Sequence, residues 1–88
     1  MNREQAMQYI AFGVDDSLNI FPESVARDAM TSSTRLVVFN AGFEPVTVAV
    51  WSYLGVHVED ADAEELAIDA MNEKQWCEGP CPAATYIF

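Results

Sequence analysis

The segment from Val46 to Tyr53 constrains the fold more than any other stretch of the chain. Its residues alternate in strand fashion, yet both alternating sets are largely apolar. Val46, Val48 and Val50 form one set, and Thr47, Ala49, Trp51 and Tyr53 form the other. Successive side chains of a strand point to opposite faces of a sheet, so this strand has no polar face to offer to water. The helices of the chain are therefore expected to cover either one face of this strand's sheet or both faces.

A continuous apolar run from Leu36 to Phe39 precedes this strand and supplies a neighbour for it. Val37 and Phe39 share one side of that neighbour, which again indicates apolar residues on both faces of the sheet. The N-terminal helices would then cover one face, and a helix over 62–75 would cover the other. Short connections favour antiparallel pairing of strands that follow one another.

The 88 residues are predicted to form one domain (1–88) of the α+β class, with elements in the order α-α-β-β-β-α-β. The predicted elements are a helix that begins at an Asn2/Gln5 capping pair and runs to about Leu18, a helix from Pro22 to Met30, strands at 36–39, 46–53 and 56–58, a helix over 62–75 and a strand at 84–88. Turns are expected at 40–42 and at Leu54-Gly55. The sheet is expected to be small and antiparallel, with three or four strands. The last strand pairs either inside this sheet or across a dimer axis, because a bare edge would recruit other chains.

The helix predicted over 62–75 has the clearest amphipathic pattern in the chain. Asp62 and Glu65 are expected to form a capping box at its start. Its apolar face consists of Ala63, Leu66, Ala67, Ala70 and Met71. Four acidic residues fall within about 80° of one another on the side away from Leu66 and Ala70. These are Asp62, Glu65, Asp69 and Glu73.

We call these four residues, with Glu59 and Asp60 just before them, the acidic stripe. Half of the 14 acidic residues in the chain lie between Glu59 and Glu73, with no Lys or Arg among them. Asp69 and Glu73 repel each other at i,i+4 spacing and gain nothing from the helix dipole. Two interpretations stay open: an ordinary solvated helix face, or a docking surface for a Lys/Arg-rich protein.

The net charge of −10 exceeds the magnitude of about 2–8 that keeps a small domain soluble. Such a charge repels nucleic acids and anionic membranes, so we expect neither as a direct partner. It attracts a basic protein surface, and solubility alone is the competing explanation. No apolar run reaches the roughly 18 residues of a membrane span, and the first residues lack the pattern of a signal peptide. A cytoplasmic location is therefore expected.

Patterns for catalysis and metal binding are weak. Carboxylates on a helix surface are solvated, with nothing to make one an acid and another a base. Asp60 and Asp62 alone do not make a divalent-cation loop. His57, Cys77 and Cys81 give at most three zinc ligands without the usual paired spacing. We therefore expect neither enzymatic activity nor a metal or cofactor.

The stretch from Trp76 to Cys81, Trp-Cys-Glu-Gly-Pro-Cys, resembles the thioredoxin redox motif with one residue inserted. It departs from that family because it follows a helix, whereas the family motif precedes a helix whose dipole favours the thiolate. A thiol-redox protein using Cys77 and Cys81 is the third function considered. A disulfide suits this spacing, but free thiols are expected in the cytosol.

Trp51 and Tyr53 also have two interpretations. Core packing accounts for them if both faces of the sheet are covered. Exposed Trp and Tyr are frequent interface anchors, which would extend the partner-binding set and allow a homodimer.

In size, acidity and the lack of catalytic motifs, the chain resembles the small acidic inhibitors that phages and mobile elements encode, such as anti-CRISPR proteins and other nucleic-acid mimics. This resemblance implies partners that carry Lys/Arg grooves for RNA or DNA, including host-defence complexes. The prediction is a non-enzymatic binding protein that docks its acidic stripe on a basic, nucleic-acid-binding surface of a partner. The alternative is a structural or accessory subunit, or a homodimeric module, with a merely solvated acidic face.

Overall fold

The computed structural model describes residues 1–40, 44–77 and 79–88. Within them the helices and strands are α1 (Arg3–Met7), β1 (Ile10–Asp15), β2 (Ile20–Pro22), α2 (Glu23–Ala29), β3 (Arg35–Phe39), β4 (Val46–Trp51), α3 (Asp60–Glu73) and β5 (Tyr86–Ile87). Most of the turn predicted at 40–42 lies outside the described residues. No helix in the described part of the chain has the length and apolar character needed to cross a membrane.

The sheet has five strands within the described ranges, in the order β2-β1-β4-β3-β5. The central strand is β4. β1 pairs with β4 in parallel, and the other pairs are antiparallel. The α+β class is confirmed, but the prediction of a purely antiparallel sheet of three or four strands is wrong, because part of the first predicted helix forms β1 and a further strand, β2, follows it.

The first helix is much shorter than predicted. α1 ends at Met7, and its Asn2/Gln5 capping box is confirmed. Beyond it, Gly13 lowers helix propensity and the Asp15 side chain closes a turn. Asp15 Oδ1 accepts hydrogen bonds from the backbone N–H groups of Ser17 at 2.9 Å and Asn19 at 3.1 Å. The resulting β1–β2 hairpin replaces the second half of the predicted helix.

The strand predicted at 56–58 is also absent from the described structure, where β4 is followed by a loop over 52–59. The turn at Leu54-Gly55 does form, since the Gly55 N–H donates to Ser52 O at 3.0 Å and Gly55 has a φ of +69°. The chain does not return along β4, because β1 and β3 already pair with both of its edges. The Val58 carbonyl accepts a hydrogen bond from the Arg35 side chain at 2.7 Å.

α3 begins two residues earlier than predicted. Glu59 is its N-cap, without a side-chain hydrogen bond, so the predicted Asp62–Glu65 capping box is wrong. The buried residues of α3 are Ala63, Ala67, Ala70 and Met71, as the apolar pattern predicts. Leu66 is half-buried at the margin of this face.

Two cores lie on opposite faces of the sheet, as both apolar sides of β4 indicate. The main core joins Phe12, Val14, Val37, Phe39, Val48 and Val50 to the buried face of α3. The second core joins Ala6 of α1 and Ala26 of α2 to Ile10, Leu36, Val38 and Ala49. Ile10 and Phe12 reach different cores because the β1–β4 register shifts between them.

The C-terminal segment closes one edge of the sheet. β5 pairs with β3, and Leu36 and Phe88 exchange backbone hydrogen bonds of 3.1 and 2.9 Å. The predicted strand at 84–88 is therefore shorter than expected and pairs inside the chain.

Candidate functional site

A groove of about 470 Å³ lies between α3, the loop over 52–59 and the turn of the β1–β2 hairpin. Its lining residues are Asp16, Leu18, Ser52, Val56, His57, Val58, Glu59, Asp62, Glu65, Leu66 and Asp69. We call it the acidic groove. Its volume lies within the range of about 300–1,000 Å³ that is typical of ligand sites. Apolar side chains line it together with five carboxylates.

Arg35 fixes one end of the groove. This residue is 9% exposed. Its Nη1 donates to Val58 O at 2.7 Å, and its Nη2 donates to the carboxylate of Asp60. Its Nε donates to Phe88 O at 3.0 Å. One buried guanidinium therefore joins the loop, the start of α3 and the C-terminal segment, and this sets the distance between α3 and the loop.

The other end is fixed by a contact between the two loops. Ser52 Oγ donates to Asp16 Oδ2 at 3.1 Å and accepts from the Leu54 N–H at 3.3 Å. The turn that carries Asp16 is itself held by the buried Asp15 side chain. Because both ends of the loop are bonded, the groove is largely pre-formed.

Four of the six residues of the acidic stripe line this groove. They are Glu59, Asp62, Glu65 and Asp69. Asp62 and Asp69 are about 10 Å apart along the helix axis, at 1.5 Å rise per residue. In the described part of the chain, no hydrogen bond or ion pair joins Asp62, Glu65 or Asp69 to another side chain. No Lys or Arg is among the described lining residues, although Arg35 contacts two of them, His57 and Val58.

The remaining two residues of the stripe have other surroundings. Asp60 forms the ion pair with Arg35, although its side chain is 69% exposed. Glu73 is exposed at the last turn of α3, outside the lining of the groove. Leu66, expected on the opposite side from the stripe, lies beside it and lines the groove. It is only about 40° from Asp62 around the helix.

Trp51 and Tyr53, the two aromatic candidates, differ in exposure. Trp51 is half-buried against the second core and stacks on Phe21 with ring centroids 5.6 Å apart. A Cβ on Gly13 would lie 2.7 Å from Trp51 Cη2, so the glycine makes room for the indole. Tyr53 is 65% exposed on the loop, outside the groove lining. Trp51 thus has a packing role, and a partner would find Tyr53 the more accessible of the two.

Cys77 and Cys81 are joined by a disulfide, where the expected cytoplasmic location predicts free thiols. Both are half-buried against the main core, beside Ala84 and Ile87 of the C-terminal segment. Their position gives the disulfide a structural role at the end of α3. Disulfides persist mainly in oxidising compartments, so this bond and the cytoplasmic prediction point in different directions.

His57 lies on the groove wall with its Nε2 3.2 Å from Arg35 Nη1. Because a guanidinium can only donate, His57 Nε2 is the acceptor in this contact. Within the described residues, no group of three or more His, Cys, Asp or Glu side chains converges as metal ligands would. What the arrangement offers chemically is a cation-attracting rim around an apolar floor.

Sequence reasoning missed the contributions of Asp16, Leu18 and Val56 to the groove, and the role of Arg35. The run Asp15-Asp16-Ser17 has turn composition, but a helix predicted through to about Leu18 gives it no place beside α3. For Arg35, the available signal is a lone base at the start of an apolar run. A base in that position has to find acceptors when the strand is buried.

Comparisons of the chain with protein-family models, with curated proteins and with solved structures find no match.

Proposed function

We propose that this protein is a non-enzymatic binding protein that docks the groove side of α3 on a basic, Lys/Arg-rich surface of a partner protein. One observation carries the proposal. Asp16, Glu59, Asp62, Glu65 and Asp69 line a single groove, and no Lys or Arg is among its described lining residues. Helical spacing places Asp62, Glu65 and Asp69 on one side of α3, and Asp16 adds a carboxylate from a turn that is distant in the chain.

Electrostatics would act at two stages. The net charge of −10 steers a basic partner toward the protein and raises the association rate. At contact, the groove carboxylates would accept charge-assisted hydrogen bonds from Arg or Lys. The same charge disfavours direct binding to nucleic acids or anionic membranes.

The most specific form of this proposal is an inhibitor that covers a nucleic-acid-binding surface, in the manner of anti-CRISPR proteins. The carboxylates along about 10 Å of α3 would form ion pairs with some of the Lys and Arg residues that otherwise contact phosphates. Partner binding and nucleic-acid binding would then exclude each other.

A second candidate is a homodimeric or accessory module that uses the exposed loop. Tyr53, Leu54 and Val56 are 65%, 83% and 59% exposed, respectively. Adjacent exposed apolar residues favour a protein contact. Such a contact would persist in high salt, whereas docking through the carboxylates would weaken with ionic strength.

The test is a pull-down from the native host with three forms of the protein: wild type, the groove variant D62K/E65K/D69K, and the control variant E4K/D28K/E44K. Both variants raise the net charge by six units, and the control positions are exposed and lie outside the groove. Wild type and control should retain the same partner at low salt and release it at high salt. The groove variant should bind it about 100-fold more weakly.

Retention of the partner by the groove variant would contradict the proposal. Competition between the partner's own nucleic acid and this protein then separates an inhibitor from a scaffold, because only an inhibitor displaces the nucleic acid.

A further inference from the structure

We propose that the acidic groove receives an apolar side chain of the partner that is flanked in its own sequence by Arg or Lys. Recognition would then require insertion of this side chain into the groove as well as attraction between opposite charges. This inference rests on the proposed function and adds to it the anchor and the sequence character of the partner segment.

The floor of the groove is apolar and incompletely covered. Leu66 and Val58 are half-buried and pack against the main core, so they form a fixed surface. Leu18 and Val56 flank the groove and are 49% and 59% exposed. A side chain that entered here would remove apolar surface of both from water, which charge contacts alone would not do.

Leu18 is an unusual residue for its backbone conformation. It has a φ of +64°, in a turn where its N–H donates to Asp15 O at 3.0 Å and the Asp15 N–H donates to Asn19 O at 3.2 Å. Gly or Asn is the usual choice at such a left-handed position of a hairpin loop, because a Cβ is disfavoured there. The leucine therefore opposes the local backbone preference, and what it adds is an apolar side chain beside the groove.

Charge complementarity identifies the residues on either side of the inserted side chain. Asp62, Glu65 and Asp69 line the α3 wall, and Asp16 lies on the hairpin turn. An apolar side chain between these walls has carboxylates on both sides. A distance of about 10 Å along α3 matches about three residues of an extended chain. The occupant is therefore a short protein segment with basic residues around an apolar one.

The experiment uses two fluorescently labelled, arginine-rich peptides of equal charge. One has a central leucine and the other has serine in its place. Wild type should bind the leucine peptide about tenfold more tightly. Leu18→Asn should remove most of this preference while raising the midpoint of thermal unfolding, because Asn tolerates the left-handed conformation. Leu54→Asn is the matched control. Its side chain is exposed outside the groove lining, and the preference should stay unchanged.

The outcomes distinguish this inference from the function on which it rests. If wild type binds both peptides with equal affinity and D62K/E65K/D69K binds neither, the insertion of an apolar side chain is overturned. Docking through the carboxylates then still stands. Failure of wild type to bind either peptide would contradict both. A preference that survives Leu18→Asn would overturn the groove as the insertion site. If phenethylammonium displaces the leucine peptide at the same concentration as the peptide, the occupant is not a protein segment. The groove would then be a site for small amphipathic cations.

Discussion

The two flanks of α3 carry the same kind of residue in different roles. On one flank, which we call the bonded flank, the Asp60 carboxylate pairs with Arg35, and Glu64 Oε2 accepts from the Ala84 N–H at 3.2 Å. On the groove flank, Asp62, Glu65 and Asp69 have no hydrogen bond or ion pair to another side chain in the described part of the chain. Carboxylates of one helix thus divide between stabilising the fold and presenting charge.

The difference arises from what passes beside the helix. The C-terminal segment runs along the bonded flank, tied by the disulfide, by Ala84 and by the pairing of β5 with β3. The groove flank faces two loops that are bonded to each other through Ser52 and Asp16. These loops leave a concave space instead of filling it. A helix surface is therefore a candidate site only where the neighbouring segments leave it uncovered.

Arg35→Ala should have the largest effect, because this side chain holds the bonded flank and sets the width of the groove. The change leaves the Val58 carbonyl without its side-chain donor, removes one of the two donors to Phe88 O and removes the partner of Asp60. We expect a loss of about 3 kcal/mol in the free energy of unfolding, measured by urea denaturation.

Arg27→Ala is its control. Arg27 Nε lies 2.9 Å from Glu23 Oε1 in an exposed i,i+4 pair, which should contribute at most about 0.5 kcal/mol. Equal losses in the two variants would show that Arg35 does not organise the site.

Removal of the disulfide should rank next and should affect the bonded flank alone. Cys77→Ser/Cys81→Ser opens a short loop beside the C-terminal segment, at an expected cost of about 2 kcal/mol. Wild type in reductant should lose the same amount, whereas the double variant should not respond to reductant. Peptide binding should stay within a factor of about two, because the groove lies on the other flank. A larger loss of binding would mean that the two flanks are not independent.

The smallest effect on stability is expected from two neighbouring charge reversals. Glu64→Lys leaves the Ala84 N–H without its acceptor and should cost about 1 kcal/mol. Glu65→Lys gives the same charge change one residue later and should alter stability by less than about 0.5 kcal/mol. Thermal unfolding of the two variants compares them directly, and equal losses would contradict the assignment of the flanks.

The sequence predicts the two-sided apolar pattern of β4 and the buried face of α3 well, because both are local periodicities. It also places four groove residues on the acidic stripe. It fails at the segment from Ile10 to Pro22, where apolar spacing fits a helix and a strand equally until the Asp15 side chain closes the turn. It fails again at 56–58, because β1 and β3 already pair with both edges of β4, which local spacing does not show.

The groove itself could not be predicted because the hairpin turn that carries Asp16 lies 36 residues before Ser52 of the opposite loop. Local spacing gives the orientation of Asp62 and Asp69, but the approach of Leu18 and Val56 depends on the parallel pairing of β1 with β4. That pairing is a tertiary property. It brings the hairpin turn beside the loop that follows β4.

The most direct test of the account is the affinity of Glu64→Lys and Glu65→Lys for the leucine-containing arginine peptide near physiological salt. The two side chains differ by about 100° around α3 and carry the same charge. At this ionic strength, screening over about 8 Å limits the effect of a charge outside the contact. The account predicts that Glu65→Lys weakens binding about fivefold and Glu64→Lys less than about twofold. Equal weakening by both substitutions would show that overall charge, and not the groove flank of α3, attracts the basic segment.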